Sequence, residues 1–325
     1  MPIDMHSHYY GGLIEPLRKR TSRPNVSIDA QGREVLNAMT ASTVVSADYT
    51  DVRSRLAYLD EAGIRTQLMT FPGALGIDAM QVHEVEIIIR DFNDRLAGIC
   101  RASDGRLLGL AGLPLADMDK AATELRRARR DLGLLGAILP GNFFLTLERA
   151  KALRPLFAAG DEVGALFMIH PGLAPGEPPP APLPEPSLYR TSGLELQASI
   201  SQMGITLMFS DLLDDFPNVA AQLVNLGGTI PFVLERLEAI GRSRTGRPFP
   251  RDRLRLLHYD CASLGPRGLR LAVDVFGADR IMLGTDYPIL RPNAVLDTVA
   301  AAEIDATQRE LVLHGTAAAL VSRVV

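Results

Sequence analysis

Four side chains stand out for the chemistry their types and positions permit. His6 and His8 lie two residues apart at the end of an apolar run, and alternate residues of an extended strand project to the same side. Both imidazoles can therefore address one ion. His170 closes a second apolar run, Leu166-Phe167-Met168-Ile169, and Asp286 follows a third, Ile281-Met282-Leu283-Gly284-Thr285. Three imidazoles and one carboxylate are a donor set suited to Zn²⁺, with room left for a water or a substrate. A His-x-His pair alone is common by chance. The weight comes from three separate runs, each ending in a ligand type.

Other candidates carry competing structural explanations. His258 ends the run Leu254–Tyr259 and is read either as a pocket residue or as a histidine held within the fold. Asp260 is read as the cap of the following helix rather than as a catalytic group. Tyr9, Phe143, Tyr287 and Arg291 follow strand ends and are candidate pocket residues, whereas His83 and His314 fall on helical segments and read as surface or packing residues. Cys100 and Cys261 are far apart, form no metal or redox motif, and Cys261 has no electropositive sequence neighbour to activate it.

Ligands on separate strand ends require a scaffold that gathers strand ends. Eight apolar runs read as strands: 2–5, 65–71, 107–113, 134–139, 165–169, 219–224, 254–259 and 280–283. Helical patterns lie between them, at 55–63, 80–100, 116–132, 147–160, 193–203, 230–240 and 265–276, with another at 305–321 after the last strand. Strands each trailed by a helix predict one closed (β/α)8 barrel over residues 1–325, whose active site lies at the carboxyl ends of the strands. An open doubly wound sheet would want a Gly-rich phosphate turn after the first strand, which Tyr9-Tyr10-Gly11-Gly12 does not supply. Two connections are long: an insertion over 9–50 after the first strand, and a Pro-rich loop over 171–190 that follows His170 and is read as a rim or lid of the site.

Composition narrows the partners. The 325 residues are 47% hydrophobic and 22% charged, with a net charge of −4 and no basic block, which speaks against nucleic acid and anionic membrane surfaces. No apolar stretch is long enough for a membrane span. The start of the chain has neither a basic region nor an apolar core of a signal peptide, so a reduced, cytoplasmic protein is expected.

Several motifs resemble the amidohydrolase superfamily: Ile3-Asp4-Met5-His6-Ser7-His8, Asp60-Glu61-Ala62-Gly63-Ile64 with Gln67, Gly109-Leu110-Ala111-Gly112-Leu113-Pro114-Leu115, Ile169-His170-Pro171-Gly172 and Gly284-Thr285-Asp286-Tyr287-Pro288. The similarity runs from about residue 2 to about residue 320. It points to the branch that holds aminocarboxymuconate-semialdehyde decarboxylase, the non-oxidative aromatic-acid decarboxylases and some hydrolases and hydratases. The resemblance implies metal ligands at His6, His8, His170 and Asp286, with Asp286 doubling as the proton carrier. Two-metal members bridge their ions with a carboxylated lysine on the fourth strand. That strand here reads Gly136-Ala137-Ile138-Leu139-Pro140, and Lys19, Lys120 and Lys151 all lie away from strand ends, so one ion is expected, zinc ahead of manganese.

Two departures shape the functional expectation. Asn225, before Gly227-Gly228, stands where the family has a histidine that activates water, and an amide cannot take a proton at neutral pH. Ala41-Ser42-Thr43-Val44-Val45 lacks the arginine that the muconate decarboxylase uses for a substrate carboxylate, whereas Arg236 resembles a second family arginine that serves the neighbouring subunit's pocket. The expected enzyme is a mononuclear decarboxylase of a small carboxylated aromatic or dienoic acid, assembled as a homodimer. Asp286 is its catalytic group, and Asn225, Arg236 and His258 bind substrate. A hydrolase of an amide, lactone or carbon–carbon bond is the alternative, followed by a hydratase and by a barrel that binds without turnover.

Overall fold

In a computed structural model of the chain, which describes residues 1–39, 41–179, 189–262, 264–290 and 292–325, two arcs of parallel strands face each other around one interior. One arc has the order β1 (Ile3–His8), β5 (Thr66–Thr70), β6 (Leu107–Leu110). The other runs β7 (Gly136–Pro140), β8 (Leu166–His170), β9 (Ala220–Leu223), β10 (His258–Asp260), β11 (Ile281–Met282). Backbone hydrogen bonds join the arcs at both seams. Between β6 and β7, Ala111 N–H donates to Gly136 O at 2.9 Å and Ile138 N–H to Ala111 O at 3.2 Å. Between β11 and β1, Met5 N–H donates to Leu283 O at 2.8 Å and Asp286 N–H to His6 O at 2.8 Å. The result is the expected eight-stranded α/β barrel, with its apolar strand residues buried on both faces as parallel sheets require.

The outer helices follow from amphipathic spacing. Val82–Ala102 buries Val85, Ile89, Phe92 and Leu96 and turns its charged residues outward. Gly265–Phe276 buries Leu269, Ala272, Val273 and Phe276. The structure corrects several boundaries. The 147–160 pattern splits into Leu147–Lys151 and Arg154–Val163, because Pro155 opens the second helix. Arg251–Leu256 is a 3₁₀ helix, so β10 starts only at His258. The C-terminal pattern is interrupted by a π-turn at Leu311–Gly315, and a further helix, Pro292–Ala301, escaped the sequence pattern.

The insertion after β1 folds on itself as an antiparallel sheet of β2 (Asn25–Ile28), β3 (Glu34–Asn37) and β4 (Ser42–Val44). Residues 180–188 of the Pro-rich segment and the pocket candidate Arg291 lie outside the described residues. Among the described residues, no helix is long and apolar enough to cross a membrane.

Candidate active site

The carboxyl ends of β1 and β8 and the residues just after β11 bring His6, His8, His170 and Asp286 together, with one ligand atom of each within 4.8 Å of all the others. Strand alternation sets His6 and His8 on the inward side, and the pairing of β1 with β5 shifts register between Asp4 and Ser7, an irregularity of the kind that re-aims side chains beside functional sites. The three rings stand nearly perpendicular to one another, with centroids 4.8 to 5.3 Å apart.

Each imidazole turns its Nδ1 to the protein. His6 Nδ1 lies 3.1 Å from Asp260 Oδ2, His8 Nδ1 is hydrogen-bonded to Thr70 Oγ1 at 2.8 Å, and His170 Nδ1 lies 3.0 Å from Pro171 O. The Nε2 atoms are thereby turned to the centre. Those of His6 and His8 approach Asp286 Oδ1 at 3.5 and 3.2 Å. Such outer partners fix the tautomer and ring orientation of metal-binding histidines. Asp286 itself sits at φ 56°, in the left-handed region an aspartate tolerates, and its N–H is held by His6 O.

The electrostatics suit a cation. Burial opposes charging His6, yet the carboxylates of Asp260 and Asp286 outweigh it and push the imidazole up to about 9. Burial, together with the neighbouring His8 and His6, pushes His170 down to about 3. Burial would raise Asp286, but the three imidazoles hold its carboxyl below the ordinary range. His6 Nε2 and Asp286 Oδ1 are buried without a hydrogen-bond partner, which is the state of atoms whose partner is an ion. The four residues fit one divalent metal. They are the one such cluster found among the described residues, and Lys120 is engaged elsewhere, with Glu86 at 2.6 Å.

Beneath the ligands lies a buried polar network that sequence reasoning missed. Asp4 accepts from His6 N–H at 3.1 Å, Thr285 N–H at 3.0 Å, Thr285 Oγ1 at 2.6 Å and Gln67 Nε2 at 2.7 Å. Gln67 Oε1 in turn accepts from Arg55 Nη1 at 2.7 Å. Arg55 is fully buried, donates also to Ser7 Oγ and His8 O, and places its guanidinium 4.7 Å from the centre of the Tyr287 ring. Tyr287 stacks on Tyr58, so it is packed behind β1. The Asp4-x-His6-x-His8 spacing already carried a signal for Asp4, since all three share one side of the strand. Nothing local marks Arg55 as a core residue.

The remaining candidates divide. Asp260 is not a helix cap. It is wholly buried, faces His6, and accepts from Gln222 Nε2 at 2.9 Å and from the Asn225 and Ala262 N–H groups at 3.2 Å. Asn225 is brought next to it by a left-handed turn in which Asn225, Leu226, Gly227 and Gly228 all have positive φ. His258 is moved away from the proposed substrate site: it begins β10 instead of ending it, and lies with Arg280 and Arg323 in a cavity at the amino end of the barrel. Its Nε2 is 3.4 Å from Arg280 Nη1, and burial pushes it down to about 4. Arg236 is exposed on the helix Ile230–Thr245. Tyr9 and Phe143 are buried at strand ends, His83 is exposed, and His314 pairs with Glu310 at 3.2 Å. Cys261 is buried and its thiol pushed up to about 12, which makes it unreactive.

A family model described as amidohydrolase matches residues 3–323. The gamma-resorcylate decarboxylase of Rhodococcus jostii is 28% identical over 84% of this chain and 87% of its own length. The 2-amino-3-carboxymuconate-6-semialdehyde decarboxylase of Dictyostelium discoideum is 25% identical over 82% of this chain and 75% of its own. Among solved structures, a dihydroxybenzoic acid decarboxylase from a Polaromonas species, with bound manganese and the inhibitor 2-nitroresorcinol, superposes with a TM-score of 0.74 over 99% of this chain and 96% of that one, at 20% identity. The last likeness bears on the fold.

Proposed function

The chain belongs to the amidohydrolase family, and from that premise we propose that it is a mononuclear metal-dependent decarboxylase of a small carboxylated aromatic acid, with a dienoic acid as the nearest variant of the substrate. The observation that carries this reading is the convergence of His6, His8, His170 and Asp286 at the carboxyl end of the barrel. The names of the relatives support the reaction class.

Three histidines favour zinc, and the manganese of the Polaromonas structure makes that ion the alternative. When bound, such an ion supplies Lewis-acid charge that attracts the substrate carboxylate and a neighbouring oxygen. Asp286, ionised at rest, is the one ligand able to carry a proton on an oxygen; it takes one up from an acidic group of the substrate or from solvent and passes it to the carbon from which carbon dioxide departs, becoming a carboxylate again. Asp260 and Thr70 keep the His6 and His8 rings in place while it does so. This route requires no water to be deprotonated, which accords with an amide at Asn225, whose role is to position a ligand by hydrogen bonds.

The proposal extends to assembly. Arg236 makes no ion pair or hydrogen bond among the described residues, and Phe232, one turn earlier on the same helix, is 81% exposed. A homodimer in which this face meets its copy would give Arg236 the partner's substrate carboxylate to grip. Residues 1–325 act as one domain, in the cytoplasm, where the thiols of Cys100 and Cys261 stay free.

The deciding experiment loads the protein with zinc or manganese and offers hydroxylated benzoates, 2,6-dihydroxybenzoate among them. Release of carbon dioxide that stops on chelation supports the reading. Hydrolysis of an amide or lactone panel without carbon dioxide release overturns it in favour of a hydrolase.

A further inference from the structure

Asp78 is the most anomalous carboxylate among the described residues. It is 1% exposed, and neither of its side-chain oxygens has a hydrogen-bond partner. An ionised carboxylate in that state is costly, so a buried, unpaired acid either keeps its proton or has a partner that is not part of the chain.

Its place in the fold favours a role at the site. Asp78 lies in the loop that follows β5, at the end of the barrel where the four ligands sit. A Cβ built on Gly73 would lie 3.8 Å from Asp78 Oδ2 and 3.7 Å from Ile138 Cδ1, so the Asp78 carboxyl and the Ile138 side chain both border Gly73. Ile138 and Pro140 project from the same side of β7, and Pro140 pairs in register with His170, the inward-facing ligand of β8. The Asp78 carbonyl is itself fixed by Leu115 N–H at 3.0 Å, which ties the loop to the segment that follows β6. Other buried atoms at this end of the barrel also lack a hydrogen-bond partner, among them His6 Nε2 and Asp286 Oδ1, which belong to the candidate metal ligands. Asp78 is set too far from them to join the ligand group.

We propose that Asp78 is a specificity-determining residue, whose carboxyl group is the hydrogen-bond partner of a hydroxyl group on the bound aromatic acid. A protonated carboxyl both donates and accepts one hydrogen bond, which matches the donor and acceptor of a ring hydroxyl. An ionised one would repel the substrate's own carboxylate. Burial keeps Asp78 in the useful form: it pushes the group up to about 8, weakly opposed by the nearby backbone N–H groups of Asp78 and Ala79, which form no hydrogen bond of normal geometry with it, and no charged side chain acts on it. The relatives named for dihydroxybenzoates are consistent with a ring that carries hydroxyls. This inference rests on the decarboxylase reading.

The test measures binding of benzoate, 2-hydroxybenzoate and 2,6-dihydroxybenzoate to the metal-loaded protein by calorimetry, for wild type, Asp78→Asn and Asp78→Leu. Wild type should prefer a hydroxylated acid over benzoate. Asp78→Asn, whose amide still donates and accepts, should retain most of that preference, and Asp78→Leu should lose about tenfold of it. Above about pH 8, wild-type affinity for the hydroxylated acids should fall further than that of Asp78→Asn. If Asp78→Leu does not fold, that pH comparison alone decides. Equal preference in all three proteins, or identical pH profiles for wild type and Asp78→Asn, overturns the role of Asp78 and leaves the decarboxylase reading standing. If none of the three acids binds to wild type, both fall together.

Discussion

Asp260 Oδ2 lies 3.1 Å from His6 Nδ1, and both side chains are at most 1% exposed. A carboxylate from the seventh barrel strand thus orients a ligand from the first. Removing it frees the His6 ring to rotate, and it also removes acceptors from Gln222 and from the Asn225 N–H. Asp260→Ala should weaken zinc binding by ~10- to 100-fold, the usual effect of deleting such a partner. Asp260→Asn, which still offers an oxygen, should lose less. Competition with a chromogenic chelator measures both. Unchanged affinity in a folded Asp260→Ala protein would refute the orienting role.

Asp286→Asn should retain much of the metal yet lose decarboxylation by ~10²-fold or more, because an amide coordinates weakly and cannot carry a proton. Elemental analysis alongside the assay separates the two effects. Turnover within a few-fold of wild type in the metal-loaded variant would contradict the proton-carrier role.

Metal content itself is a prediction. About one ion per chain should be found in wild type and almost none in His6→Ala combined with His8→Ala, since two of four ligands are then gone. Two ions per chain, or full occupancy in the double variant, would mean that the ion sits elsewhere.

The pH dependence of stability should reveal Asp78. Its carboxyl is raised from 3.8 to about 8, so between those values the folded chain holds a proton that the unfolded chain has released. Its contribution is neutral below about pH 4, grows more destabilising up to about pH 8, and is then constant. Asp78→Asn removes it. The melting temperature of the variant should therefore gain on wild type as pH rises through this window. Parallel melting curves at every pH would show that Asp78 is ionised throughout.

Shared pockets can be tested with two inactive variants, Arg236→Ala and Asp286→Asn, unfolded together and refolded as a mixture. A mixed dimer has one pocket with both native residues, so activity should return to roughly a quarter of wild type for random pairing of a two-fold dimer. No recovery in a sample shown to contain mixed dimers would confine Arg236 to its own chain.

The convergence of the four candidate ligands was legible in the sequence because strand ends are marked by apolar runs, and a barrel puts strand ends in one place. What lay across strands was not. Asp260 has the local look of a helix cap, and only the closure of the barrel reveals His6 opposite it. Arg55 sits in a helix pattern rich in charge, Arg53-Ser54-Arg55, where an arginine normally faces water. Its depth is set by Ser7 and Gln67 on two neighbouring strands. His258 was misplaced by a boundary error: Arg251–Leu256 coil into a 3₁₀ helix, and the shortened strand leaves His258 at its opposite end.

The Asp4 carboxylate holds Thr285, 281 positions away along the chain, while also holding His6 on its own strand. His6 and Asp286 then meet above it. The first and last barrel strands, already joined by backbone hydrogen bonds, are therefore clasped further by a carboxylate that belongs to the protein, and an ion held by His6 and Asp286 would clasp them again. An ion bound there would couple the integrity of the first and last barrel strands to metal uptake, because a ligand that binds only the folded seam stabilises it.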